Sequence, residues 1–179
     1  SDRRRMYWRC PDCSGRFEAA PGLKLFAGLP DEKTLIEEVR TSDIVAMAKH
    51  FGKVVCPLCG SILEHQQKRD LNRGGIWVPD GITFDRNGEP QGTAMSSTIR
   101  GYWQGGVSAS YQSWESIVAQ YLYGLRDYSL TGSEEKLKQT TNTDQGMPYM
   151  PRHLVEAKGA GLQPRDRAEV GLKRLIAPA

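Results

Sequence analysis

The hydrophobic pattern of this chain changes period several times, and each change marks an element. Tyr7 and Trp8 lie in a short strand-like stretch, and Arg16-Phe17-Glu18-Ala19 alternates polar and apolar. That is the period of a strand with one buried face, so these stretches predict two strands of a ribbon. Residues 22–30 read as a loop with a small apolar patch, Leu23, Leu25 and Phe26. Asp31 is a helix N-cap, with Leu35, Ile36 and Val39 at helical spacing behind it. A second helix starts near Ser42 or Asp43, presents Ile44, Val45, Met47, Ala48 and Phe51, and stops at Gly52. Lys53-Val54-Val55 and Ser61-Ile62-Leu63 are short strands, and residues 64–73 form a short polar helix that Gly74-Gly75 breaks.

Ile76-Trp77-Val78 and Ile82-Thr83-Phe84 are strands separated by Pro79-Asp80-Gly81. Asp85-Arg86-Asn87-Gly88 is a hairpin-type turn. Residues 89–97 read as polar loop, and Ser97 to Trp103 regains β character. Trp77, Phe84, Tyr102 and Trp103 are the expected aromatic core of this part. The strongest helix begins at Ser113, where Trp114, Ile117, Val118, Tyr121, Leu122 and Leu125 make one apolar stripe ended by Gly132-Ser133. A shorter helix starts at Glu134 and runs towards Thr140 and Thr141. Residues 152–163 read as linker, and Pro164 to Ile176 carries a last amphipathic helix.

Together these elements predict an α+β chain. Its expected parts are a small zinc-ribbon-like four-cysteine domain over 1–63 with a helical insertion at 22–52, an α+β connector with a β-hairpin over 64–150, and a linker with a short terminal helix over 151–179. The 179 residues suit one domain, or one with an extended tail, and 19 glycines and 10 prolines fit an irregular fold full of turns. No apolar run reaches the ~20 residues that span a bilayer. The net charge of +3 is too small to imply nucleic acid by itself, so the placement of the cations matters more than their sum.

The chemistry lies in four cysteines. Cys10-Pro11-Asp12-Cys13 and Cys56-Pro57-Leu58-Cys59 share a two-residue spacer, and the chain has no other cysteine. Two thiolates so spaced curl into a knuckle and occupy two corners of a tetrahedron, and a second knuckle supplies the other two. The pattern predicts one structural Zn2+ held by Cys10, Cys13, Cys56 and Cys59, with no open coordination position. A redox pair would need a thioredoxin-like context, and disulfides would need an oxidising compartment. Ser1-Asp2-Arg3-Arg4-Arg5 leads into no apolar signal segment, so reduced thiols are expected. His50 at a helix end and His65 after the second knuckle are weaker ligands than the cysteines that already fill the site.

Arg3, Arg4, Arg5, Lys68, Arg69 and Arg73 are candidate contacts to nucleic-acid phosphate, since such contacts need only accessible cations. The plainer reading of the three arginines is a solvated chain end. Walker-type GxxxxGK[ST], GxSxG and HExxH patterns are absent, and no acidic cluster suggests a two-metal site. On chemistry alone the chain reads as a zinc-stabilised binding or connecting module and not as an enzyme.

The order of motifs adds a family. Arg3-Arg4-Arg5-Met6-Tyr7-Trp8-Arg9-Cys10-Pro11-Asp12-Cys13, Cys56-Pro57-Leu58-Cys59-Gly60 and Gly75-Ile76-Trp77-Val78-Pro79 resemble the large terminase subunit of lambda-like tailed phages. So do Ser113-Trp114-Glu115-Ser116-Ile117-Val118 and the run from Leu137 to Tyr149. The resemblance extends from about residue 3 to about residue 176. It implies the middle of a protein that carries a packaging ATPase and a nuclease, with the catalytic groups of both outside the chain. The full-length protein would be a packaging ATPase and endonuclease of the host bacterial cytoplasm. Its partners would be viral double-stranded DNA, a small terminase subunit, a portal, and further copies of itself. The expected role of this chain is a zinc-stabilised connector that positions ATPase and nuclease and offers a basic surface to duplex DNA. The alternative is a free-standing zinc-ribbon adaptor for nucleic acid or protein.

Overall fold

A computed structural model describes residues 1–154. The chain divides into two compact units, Ser1–Pro148 and a second that begins at Tyr149. The linker and terminal helix expected over 151–179 lie, from residue 155 onward, outside the described residues. Among the described residues no helix is long and apolar enough to cross a membrane.

The first unit mixes helix and sheet. Its eight strands are β1 (Arg4–Arg9), β2 (Arg16–Glu18), β3 (Val54–Val55), β4 (Ile62–Leu63), β5 (Ile76–Val78), β6 (Ile82–Phe84), β7 (Pro90–Gly92) and β8 (Tyr102–Trp103). Its helices are α1 (Glu32–Glu38), α2 (Ile44–Phe51), α3 (Lys68–Arg73), α4 (Trp114–Thr131) and α5 (Glu135–Thr143), with a 3-10 turn at His65–Gln67 leading into α3.

β1 organises the main sheet. It pairs antiparallel with β2 (Trp8 opposite Phe17) and with β5 (Met6 opposite Trp77), and parallel with β8 (Arg5 opposite Trp103). Arg5 pairs with both β5 and β8, and Tyr7 with both β2 and β5, so β2 and β8 follow one another along the same edge of β1. β3 and β4 form a separate two-stranded ribbon, and β6 and β7 another.

Side-chain capping sets the helix starts. Asp31 accepts from the Thr34 amide, Asp43 from the Val45 and Ala46 amides, and Ser113 from the Ser116 amide. Each satisfies a backbone donor that would otherwise have no partner. Gly132 ends α4 in the left-handed conformation at φ 77°, which a residue without Cβ adopts at no steric cost. Trp114, Ile117, Val118, Leu122 and Leu125 of α4 are each fully buried, and the helix packs against α1, α2 and α5. Arg126 of α4 donates to the Val39 and Ser42 carbonyls, and Arg40 donates to the Ser129 carbonyl at 2.7 Å.

The centre of the unit is a pair of tryptophans. Trp8 of β1 and Trp114 of α4 are both 0% exposed, with ring centroids 6.1 Å apart. Each indole N–H has a partner, as burial demands. Trp8 donates to the Asn72 side-chain oxygen at 2.9 Å, and Trp114 to the Val107 carbonyl at 2.8 Å.

The structure corrects two expectations. The buried aromatics are Trp8, Phe17, Phe26 and Trp114, not Trp77, Phe84, Tyr102 and Trp103. Tyr102 is 55% exposed and Trp103 39% exposed, because β8 lies at the sheet edge with no layer over it. Trp77 and Tyr102 instead meet edge to face at 5.1 Å, and Trp103 lies under the Arg5 guanidinium. Part of the 89–97 loop is strand β7, registered on β6 from Ile82 opposite Gly92 to Phe84 opposite Pro90. Its main-chain bonds follow from the Asp85–Gly88 turn, where the Asp85 carboxylate accepts from the Asn87 and Glu89 amides. A wholly exposed strand shows no alternation, so periodicity could not mark it.

Candidate metal centre

The two cysteine knuckles are backbone copies of one another. The Cys10 amide donates to the Gly15 carbonyl at 2.9 Å, and the Ser14 amide to the Cys10 carbonyl at 3.0 Å. In the second knuckle the Cys56 amide donates to the Ser61 carbonyl and the Gly60 amide to the Cys56 carbonyl, both at 2.9 Å. The residue after the second cysteine takes the left-handed conformation each time: Ser14 at φ 62° and Gly60 at φ 77°. The first knuckle is carried by β1 and β2, the second by β3 and β4.

These loops bring the four sulfurs together. Cys10 Sγ lies 3.8 Å from Cys59 Sγ, and Cys13 Sγ lies 4.0 Å from Cys56 Sγ. All four lie within 4.8 Å of one another. Four sulfurs around an ion at metal–sulfur distances of about 2.3 Å would be separated by about 3.8 Å along each tetrahedral edge. The cluster is slightly expanded from that figure, and all four cysteines are free thiols. Cys10 and Cys56 are 1% exposed, while Cys13 and Cys59 lie at the surface.

Hydrogen bonds favour the ionised sulfurs in a matching pattern. Amides of Asp12 and Cys13 serve Cys10, and those of Leu58 and Cys59 serve Cys56. The Gly15 amide serves Cys13, and the Ser61 amide serves Cys59. Ser61 Oγ adds contacts of 3.0 Å to Cys59 Sγ and 3.5 Å to Cys10 Sγ. The Ser61 hydroxyl and amide pull Cys59 down to about 6, and burial pushes Cys56 up to about 12. Burial opposes ionisation of Cys10, but its amides and Ser61 outweigh it and lower the thiol overall. At Cys13 the Gly15 amide acts downward, yet burial and the neighbouring Cys59 and Cys10 thiols raise it overall. Four converging sulfurs cannot all ionise without a compensating charge, and a bound cation supplies one. The donor set and its spacing therefore fit a metal ion with four sulfur ligands.

Neither candidate histidine joins the cluster. His50 packs against Phe51 at the end of α2. His65 stacks edge-on to Trp114 at 5.5 Å, its Nδ1 accepts from the Trp114 amide at 3.5 Å, and burial lowers its pKa.

The six candidate phosphate contacts are dispersed. Arg3 pairs with Asp80, and Arg4 with Asp2 at 2.7 Å. Arg5 lies 3.8 Å above the Trp103 ring and 3.9 Å from the Glu18 carboxylate. Arg73 pairs with Asp70 at 3.5 Å. Lys68 is buried, 4% exposed, and its ammonium donates to the Gln112 carbonyl at 2.6 Å and the Gly106 carbonyl at 3.5 Å. Burial holds its pKa down at about 8. Arg69 is exposed and makes no ion pair or hydrogen bond among the described residues.

Sequence reasoning missed the structural use of Lys68. Together with Asn72, which donates to the Ser108 carbonyl at 2.8 Å, it pins residues 104–112 in front of α4. The signal available was a lysine three residues before Leu71, on the face of a short helix that turns inward.

Comparison with protein families divides the chain. A model described as "Phage terminase large subunit gpA, ATPase domain" matches residues 1–77. A model described as "Terminase large subunit gpA, endonuclease domain" matches residues 99–179. Both matches lie within the one chain, separated by residues 78–98, which lie in neither. No curated protein matches, and no solved structure does.

Proposed function

We propose, from the premise that the chain belongs to the gpA family of phage terminase large subunits, that it is the zinc-stabilised junction between the packaging ATPase and the nuclease. The observation that carries this reading is the interleaving of the two matched segments in one core. β8, from the endonuclease-matched part, pairs with β1 from the ATPase-matched part. α4 packs on α1 and α2, and Trp114 packs on Trp8. Lys68 and Asn72 hold the 104–112 loop. A junction built this way moves as one piece, so displacement of one enzymatic domain is carried to the other.

In this reading Cys10, Cys13, Cys56 and Cys59 bind one Zn2+. The ion's chemistry is structural, neutralising four thiolates and tying the β1–β2 ribbon to the β3–β4 ribbon. The ribbons are a zinc ribbon interrupted by the helices of residues 22–52. The working protein acts in the host cytoplasm on viral double-stranded DNA, with a small terminase subunit, a portal and further copies of itself. Of the six candidate cations, the exposed Arg3, Arg69 and Arg73 contribute a basic surface to that DNA.

Metal analysis of the purified protein tests the zinc assignment, with one zinc per chain expected. Cobalt(II) substitution is expected to give the intense visible absorption of a tetrahedral sulfur site, which disappears in Cys56→Ser. A protein purified without metal that gains none on addition of zinc would contradict the assignment.

A further inference from the structure

A cleft of about 450 Å³ lies between the 3-10 turn with α3 and the loop before α4, lined by His65, Gln66, Lys68, Arg69, Asn72 and Ser110. No carboxylate is among these residues. A second cleft, beside Arg5 and Trp103, contains both Glu18 and Asp80 and so offers an anion no such bias. In the first cleft Asn72 is engaged, accepting from Trp8 and donating to the Ser108 carbonyl. Lys68 lines the cleft, but its ammonium is engaged with the Gln112 and Gly106 carbonyls, so the accessible cation there is Arg69. His65 Nδ1 is an acceptor for the Trp114 amide, so the neutral ring carries its proton on Nε2 and offers a donor there. The side chains of Arg69, Gln66 and Ser110 have no hydrogen-bond or ion-pair partner among the described residues. The chain next reaches Tyr111, which is 85% exposed, although its loop is fixed by buried Val107, Ser108, Ala109 and Gln112. Tyr111 thus presents its ring to solvent from a backbone whose neighbours are buried.

We infer that this cleft is a phosphodiester subsite, which takes a phosphate of a polynucleotide strand on Arg69, Gln66 and Ser110 and a neighbouring base against Tyr111. It rests on the DNA-contact reading above and locates that contact at one place. Unengaged donors beside an accessible guanidinium suit a phosphate's oxygens, and an exposed ring suits the face of any base. A base must be unpaired or terminal to reach the ring, so the site favours a frayed or single strand over an intact duplex.

Fluorescence anisotropy with labelled single-stranded and duplex oligonucleotides tests the inference over a series of salt concentrations. Arg69→Gln is expected to weaken both by about tenfold and to reduce the salt slope by about one. Tyr111→Ala is expected to weaken the single strand several-fold and the duplex less. Arg86→Gln, a change at an exposed arginine of the β6–β7 turn, is the control and should leave both unchanged. Circular dichroism confirms that each variant is folded. Unchanged binding in Arg69→Gln and Tyr111→Ala, with the parent protein still binding, overturns the subsite and leaves the DNA reading standing. Absence of binding by the parent protein at low salt overturns both.

Discussion

The two cysteine knuckles have the same backbone and different support. The first grows out of β1, the central strand of a four-stranded sheet, whose Trp8 and Phe17 are buried against the tryptophan core. The second sits on a ribbon of two short strands, with Ile62 and Leu58 at least half exposed. That ribbon is fastened by buried Val54 and Leu63, by a bridge from Phe26 to Val54, and by the Lys53–Glu64 ion pair at 2.9 Å. The pair is solvent-exposed and contributes little, on the order of 1 kcal/mol or less. So the first knuckle is held by packing before any metal arrives. In the proposed zinc reading, the second relies on the metal to attach it to the first.

The largest expected effect tests that asymmetry. Cys56→Ser, or a strong chelator, should cost more than the ~2–5 kcal/mol of a large core truncation, since in the proposed zinc site the ion's binding free energy adds to the stability of the ribbons it joins. Hydrogen exchange should then accelerate first at Val55, Cys56 and Ser61, with Trp8 and Phe17 retaining protection. Equal acceleration in both ribbons would erase the distinction. Next in size is Leu122→Ala. This residue is fully buried in α4, and its loss should cost about 2–5 kcal/mol. Denaturant unfolding should show both ribbons weakened together, unlike the chelated protein.

Much of this was legible in the chain. Both knuckles, the caps at Asp31, Asp43 and Ser113, and the α4 stripe follow from local chemistry, because cysteine spacing and capping act within a few residues. What could not be read depends on distant pairing. The 0% exposure of Trp8 comes from Trp114, more than a hundred residues away, while Trp103 is left at an edge by the order of strands on β1. Six cations looked alike as letters. The fold buries Lys68, pairs Arg3, Arg4 and Arg73, stacks Arg5 on Trp103, and leaves Arg69 open. A family pattern helped where periodicity could not, since it joined segments that have no local relation.

A smaller effect compares the knuckles position by position. Ser14 and Gly60 are equivalent and both left-handed. A Cβ added at Gly60 would meet nothing within 4 Å, so Gly60→Ala should cost about 1 kcal/mol through backbone conformation alone. Ser14→Gly should gain up to a similar amount. Thermal unfolding of the zinc-loaded protein checks both, and a loss of stability in Ser14→Gly would mean that the serine hydroxyl has a role that its conformation does not explain.

The smallest effect concerns pH. Folding depresses Lys68 to about 8 from its ordinary 10.5. Between those values the unfolded chain holds a proton that the folded chain has released, so this group's contribution to stability rises with pH across that window and is flat below it. The parent protein should therefore gain stability relative to Lys68→Met from about pH 8 upward. A constant difference would show that the ammonium keeps its proton while buried.

The central claim is that segments matched by an ATPase model and an endonuclease model form one cooperative body. Native-state hydrogen exchange of the zinc-loaded protein in rising denaturant tests it most directly. The account predicts that the slowest amides of β1, at Met6 and Trp8, and of α4, at Val118 and Leu122, converge on one opening free energy with one denaturant slope. Exchange of the α4 amides through a lower-energy opening that leaves β1 protected would contradict it.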